Sequence, residues 1–149
     1  YLVILLALSN SFGRISGGFT SDRFGRVKIL KIVLALQASN LLLFSSYDSP
    51  ALLAVGAAIT GLFYGACIAL FSLITCDFYG IRHFGANFGL VHTALGSSGV
   101  LGPLLAARMI DTTGTYVHAY LISAALLVVA LTISFTIRKP SLAREVQGL

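Results

Sequence analysis

The sequence predicts an all-α membrane fold, a polytopic bundle of about five transmembrane helices. Three observations predict it. Of the 149 residues, 57% are hydrophobic and 10% charged, where soluble domains carry about 25% charged residues. So few charges cannot cover a water-facing surface of this size, and the solvent is largely lipid. Apolar stretches also recur at roughly 20 residues, the length a helix needs to cross a hydrocarbon core of about 30 Å. Strands of a membrane barrel would instead show alternating runs of about ten residues. Finally, the basic residues behind the net charge of +5 gather at the ends of the apolar stretches. They do not line one face, so they read as topology signals and not as a nucleic-acid surface.

The spans follow in order over 1–19, 29–46, 51–76, 84–109 and 117–137, with a polar tail over 138–149. The first opens on Tyr1, without Met and without a charged leader. It reads as the start of a piece of a longer protein, whose upstream helices are then expected partners, together with the lipid bilayer. A tight charged stretch, Gly17 to Lys28, separates the first span from the second and carries Asp22, Arg23, Arg26 and Lys28. Tyr47-Asp48-Ser49-Pro50 is a turn signal between the second and third spans. The segment 77–83 separates the third from the fourth, and Asp111 to Thr115 the fourth from the fifth.

Connections alternate sides. Arg23, Arg26, Lys28, Lys31, Arg82, Arg138, Lys139 and Arg144 fall on one side, Arg108 falls on the other, and Arg14 lies within a span. The positive-inside rule then assigns loops 20–28 and 77–83 and the C-terminal tail to the cytoplasm. Gly13/Gly17, Gly61/Gly65, Gly85/Gly89 and Ser98/Gly102 are spaced for close helix contact, because association within lipid depends on backbones approaching closely. Cys67 and Cys76 show no disulfide or metal-ligand pattern. Neither paired carboxylates, HExxH nor a Ser/His/Asp set is present, so no enzyme, metal or cofactor is expected.

Gly18-x-x-x-Asp22-Arg23-x-Gly25-Arg26-x-Lys28 resembles the signature loop of the major facilitator superfamily. Asn10-x-x-Gly13-Arg14-x-x-x-Gly18 just before it is similar to the eighth helix of that family's monocarboxylate transporter and oxalate/formate antiporter branch. Tyr79-Gly80-Ile81, Ala86-Asn87-Phe88-Gly89, Gly99-x-x-Gly102-Pro103 and Asp111-x-x-Gly114-x-Tyr116 resemble the stretch from the end of its tenth helix to the start of its twelfth. The resemblance implies helices eight to twelve, a half-domain fragment of a secondary transporter that works by alternating access. A second placement, helices two to six, would make Gly99-x-x-Gly102-Pro103 resemble the fifth-helix antiporter motif, but the Asp-x-x-Gly-x-Tyr loop does not belong there.

Arg14 is the sharpest candidate site residue. It lies about five residues inside its span, roughly 7 Å deep by helix rise. An arginine in hydrocarbon costs at least about 2.5 kcal/mol and so marks a pathway or a site, and its planar fork suits a carboxylate. The other reading is a snorkelling arginine whose head reaches the interface. Asn10, one turn earlier on the same face, can orient Arg14 or meet substrate. His92, near the middle of the fourth span, is a candidate proton carrier or substrate contact, or else a neutral histidine bonded to a neighbouring helix. The resemblance implies that Arg14 binds a small organic anion, exchanged or co-transported with a counter-anion or a proton. It also implies that Gly18, Asp22, Arg23, Gly25 and Arg26 gate the cytoplasmic side through charge pairs. Gly102 and Pro103 would bend the fourth helix. Leu95 stands where oxalate/formate members carry a lysine, which favours a monocarboxylate over a dicarboxylate. Sugar or drug transport with a structural Arg14, and a receptor-like or truncated protein without transport, are the alternatives.

Overall fold

The structure is a computed structural model that describes residues 2–44 and 46–137. The expected tail over 138–149 lies outside the described residues. Five helices follow one another: α1 (Leu2–Phe24), α2 (Arg26–Phe44), α3 (Pro50–Tyr79), α4 (Phe84–Thr113) and α5 (Val117–Ser134). All five are long and apolar enough to cross a membrane, and the described residues contain no strand.

The helices differ from the expected spans mainly at their polar ends. The stretch 20–28, expected as a loop, is helical except at Gly25. α1 runs on through Asp22 and Arg23, and α2 begins at Arg26. Gly25 turns the chain at φ 95°, in the left-handed region where a side chain would be strained. Its N–H still donates to the Ser21 carbonyl at 2.9 Å, and its own carbonyl accepts from the Ile29 N–H at 3.1 Å. Hydropathy locates the hydrocarbon boundary, whereas backbone bonding decides where a helix ends, so polar turns extend past the apolar span. α4 likewise continues past residue 109 to Thr113, where Gly114 closes it with a left-handed cap and an N–H bond to the Ile110 carbonyl at 2.9 Å.

The turn before α3 is as its composition predicts. Ser49 is the N-cap, its hydroxyl accepting from the Leu52 N–H at 3.2 Å, and Pro50 opens the first turn. Pro103 lies inside α4, which runs unbroken through it. Having no N–H, it leaves the Gly99 carbonyl without its usual intrahelical donor.

α1 packs chiefly on α3, while α2 packs on α5 and α3. Ile29, Leu30, Val33 and Leu34 of α2 meet Ala66 and Leu70 of α3 in the buried core, with Leu127 and Leu131 of α5 against them. α4 touches α3 and α5 lightly and has no buried residue. Gly85, Gly89 and Gly102, expected at close helix contacts, have no neighbour within 4 Å of a Cβ built on them. Equal spacing in α1 and α3 does carry contacts. Spacing makes close approach possible, but only a facing backbone realises it.

Candidate functional site

The α1–α3 seam positions the candidate residues. A Cβ on Gly13 would fall on the Leu62 carbonyl oxygen, and one on Gly65 on the Asn10 carbonyl oxygen. A Cβ on Gly61 would lie 2.6 Å from the Leu6 oxygen, and one on Gly17 would lie 2.8 Å from Ala66. Four glycines thus hold the two backbones in direct contact over three turns. Asn10 and Arg14 belong to this fixed stretch of α1, so their depth and rotation are set by α3.

Along the seam, Asn10 Oδ1 accepts from Arg14 Nε at 3.1 Å. The pair is spaced i, i+4, so one helical turn brings them together. The Arg14 side chain is exposed, and no acid among the described residues pairs with it. With Nε engaged, the two terminal nitrogens remain to bind a carboxylate in parallel.

His92 meets neither Asn10 nor Arg14. Its ring tilts against Phe88 at 4.3 Å, and Phe88 stacks on Phe84 at 5.1 Å. The three form an aromatic stripe one turn apart along α4. Phe63 and Tyr64 border a cavity of about 480 Å³ within the bundle, as does Leu95.

A second cluster stands at the end of the bundle where Gly25 and Gly80 turn the chain. Arg26 donates to Asp77 Oδ1 and to the Leu73 carbonyl at 3.0 Å, and its other terminal nitrogen lies 3.5 Å from Asp22. One guanidinium thereby ties the end of α1, the start of α2 and the end of α3. Asp77 was not singled out from sequence. The usable signal was an acid ending the third span, on the side assigned to the signature loop.

Arg23 stands apart from these charge pairs in the structure. It stacks over the Phe19 ring at 4.7 Å and pairs with no acid among the described residues. Arg26 follows Asp22 at i+4, and the turn at Gly25 keeps the two in reach. Arg23 is rotated about 100° from Asp22 along α1. Gly18 accepts from the Ser21 hydroxyl through its carbonyl at 2.7 Å, and no atom lies within 4 Å of a Cβ built on it.

A family model described as Major Facilitator Superfamily matches residues 1–148, nearly the whole chain. The chain belongs to the Major Facilitator Superfamily. An MFS transporter, asaE of Aspergillus flavus, is 30% identical over 130 residues, 85% of this chain and 29% of that protein. The oxalate:formate antiporter of Oxalobacter formigenes is 29% identical over 133 residues, 83% of this chain and 30% of that protein. Monocarboxylate transporter 12 of Xenopus laevis is 28% identical over 131 residues, 83% of this chain and 28% of that protein. The chain thus spans less than a third of the length of these relatives, consistent with a fragment of an integral, multi-pass membrane protein.

Proposed function

We propose that this chain is part of a secondary transporter for a small organic anion, a monocarboxylate first of all, with Arg14 as its anion-binding group. One observation carries the reading. Arg14 is an exposed guanidinium with no acid paired to it among the described residues, fixed by Asn10 on a helix that glycines lock to its neighbour. A charge placed within a spanning helix is costly, and a substrate carboxylate would offset that cost when bound. Relatives named for monocarboxylates and for oxalate and formate support an anionic substrate. Leu95, in place of a second cation, favours one carboxylate over two.

In this reading the Gly25–Gly80 end faces the cytoplasm, and Asp22, Arg26 and Asp77 form the closure that alternating access makes and breaks. His92, within α4, would carry a proton or meet the substrate. Pro103 would let α4 bend as the pathway opens.

The test is uptake of radiolabelled pyruvate by the full-length protein in liposomes. Arg14→Ala removes a charge-assisted bidentate contact and should raise KM about tenfold to a hundredfold, with thermal stability near wild type. Arg14→Lys keeps the charge without the planar fork and should recover part of the loss. Unchanged uptake in Arg14→Ala would make the arginine structural, and no saturable pyruvate uptake by the wild type would shift the reading to a sugar or drug transporter.

A further inference from the structure

At the end of the bundle where Gly25 and Gly80 turn the chain, cations outnumber acids. Arg23, Arg26, Lys28, Lys31 and Arg82 stand there against Asp22 and Asp77. Arg26 takes both acids, so Arg23, Lys28, Lys31 and Arg82 pair with no acid among the described residues. Two of these cations share one helix face. Lys28 and Lys31 lie at i, i+3 in the first turns of α2, where side chains are neighbours.

Lys31 is not placed like a lysine that reaches for water. A snorkelling lysine extends its ammonium away from the apolar surface. Lys31 is half-buried, and its Nζ crosses to the neighbouring helix to lie over the Phe135 ring, 4.5 Å from the centroid. The ring face attracts the charge but leaves the three ammonium donors without an oxygen acceptor among the described residues. Toward the middle of α2 the same face turns apolar. Ile32 and Leu36 follow Lys28 at i+4 and i+8 and are exposed, as is Phe135 beside them on α5. Cations at the rim and an uncovered apolar stripe next to them match the two parts of a phospholipid. A soluble anion would meet the lysines and leave the stripe bare.

We propose that the exposed edge of the α2–α5 contact binds an anionic phospholipid. Lys28 and Lys31 hold its phosphate, and Ile32, Leu36 and the Phe135 ring meet the adjoining acyl chain. Lysine suits this role, since its ammonium is a point charge with three rotatable donors that can follow a mobile phosphate. Each basic residue at a membrane surface adds to the attraction for anionic lipid. A zwitterionic headgroup brings its own cation beside the lysines and gains much less. The lipid bridges α2 and α5, whose side chains already share the buried core. The site is separate from Asn10 and Arg14, so it stands whether or not Arg14 binds substrate.

The test is native mass spectrometry of the full-length protein in detergent, with dioleoylphosphatidylglycerol or dioleoylphosphatidylcholine added. The first phosphatidylglycerol should bind about tenfold tighter than phosphatidylcholine, the preference expected when two lysines meet one net negative charge. Lys28→Gln and Lys31→Gln should each weaken it about fivefold, the factor for one basic residue at an anionic surface, and leave phosphatidylcholine unchanged. Lys31→Arg keeps the charge over the ring and should keep most of the affinity. Arg82→Gln removes the same charge from the turn between α3 and α4 and should leave the first phosphatidylglycerol in place. Glycerol phosphate, the headgroup without chains, should not compete even in large excess. Equal retention of the two lipids by the wild type would overturn the site, and that comparison needs no variant to fold. So would wild-type retention by the Lys28→Gln, Lys31→Gln double variant. A loss in Arg82→Gln as large as either lysine's would assign the effect to the charge of the whole end and not to this edge. Competition by glycerol phosphate would make the lysines a site for a soluble anion, which also overturns the proposal.

Discussion

Gly13→Ala tests whether α1 and α3 are held by direct backbone contact. The added methyl would stand 2.8 Å from the Leu62 carbonyl carbon and 2.9 Å from its Cα, with the Leu62 oxygen nearer still. Carbon atoms in ordinary contact lie about 3.5–4.0 Å apart, so the two carbons alone require the helices to part by roughly 0.6–1.2 Å, and the nearer oxygen requires more. The obstructing atoms are backbone, so no side chain can swing away. Overpacking of this kind costs about 1–3 kcal/mol, and alanine returns up to about 1 kcal/mol through its better helix propensity. The net expectation is a loss of about 1–2 kcal/mol. Gly65→Ala meets the Asn10 carbonyl on the same seam. The separation that relieves one clash also relieves the other, so the double variant should cost about 0.5–1 kcal/mol less than the sum. Gly18→Ala is the comparison, since no atom lies within 4 Å of its Cβ position, and it should be neutral or mildly stabilising. The assay is thermal unfolding of the full-length protein in detergent, followed by the loss of its monodisperse chromatographic peak. If Gly13→Ala melts with Gly18→Ala and above wild type, the seam is not in contact and the reasoning fails.

Two further outcomes follow from named contacts. Arg26 and Asp77 keep 27% and 34% of their side-chain surfaces exposed, so screening limits their pair. A double-mutant cycle with Arg26→Gln and Asp77→Asn should give a coupling of about 0.5–1 kcal/mol, shrinking in high salt, whereas the same cycle with the more exposed Asp22 should give less. Asn40 is buried, donates to the Gly56 carbonyl and to Thr60, and accepts from the Tyr47 hydroxyl at 3.3 Å. Asn40→Leu should cost about 1–2 kcal/mol in the same melting assay, because it leaves the Tyr47 hydroxyl without that acceptor.

The spans, their order and the Ser49-Pro50 start of α3 were legible in the sequence because hydrocarbon thickness and capping chemistry act locally. The Asn10–Arg14 bond was legible for the same reason, since four residues of helix bring the pair together whatever surrounds them. The glycine seam was half legible. Gly13, Gly17, Gly61 and Gly65 have the same spacing as Gly85 and Gly89, and nothing local says which set faces another backbone. Asp77 was hidden for a related reason. Its partner lies 51 residues away, and only the packing of α3 against α1 and α2 brings the two within reach. Gln37 Oε1, buried without a hydrogen-bond partner among the described residues, was beyond sequence altogether, because being unpartnered is a property of every neighbour at once.

The charged stretch shows how spacing divides labour between two arginines of the same charge. A turn of one residue at Gly25 leaves α1 and α2 almost continuous in hydrogen bonding, so Arg26 stays one helical turn from Asp22 while α2 carries it against α3. It can then serve Asp22, Asp77 and the Leu73 carbonyl together. Arg23, ahead of the turn and rotated away, lays its guanidinium on Phe19 in the manner of an interfacial arginine. Inserting one residue after Gly25 would rotate α2 by about 100° and carry Arg26 away from Asp77 while leaving Arg23 on Phe19. The stretch therefore works as a clamp through its register. Its net charge, which would survive such an insertion unchanged, does not explain it.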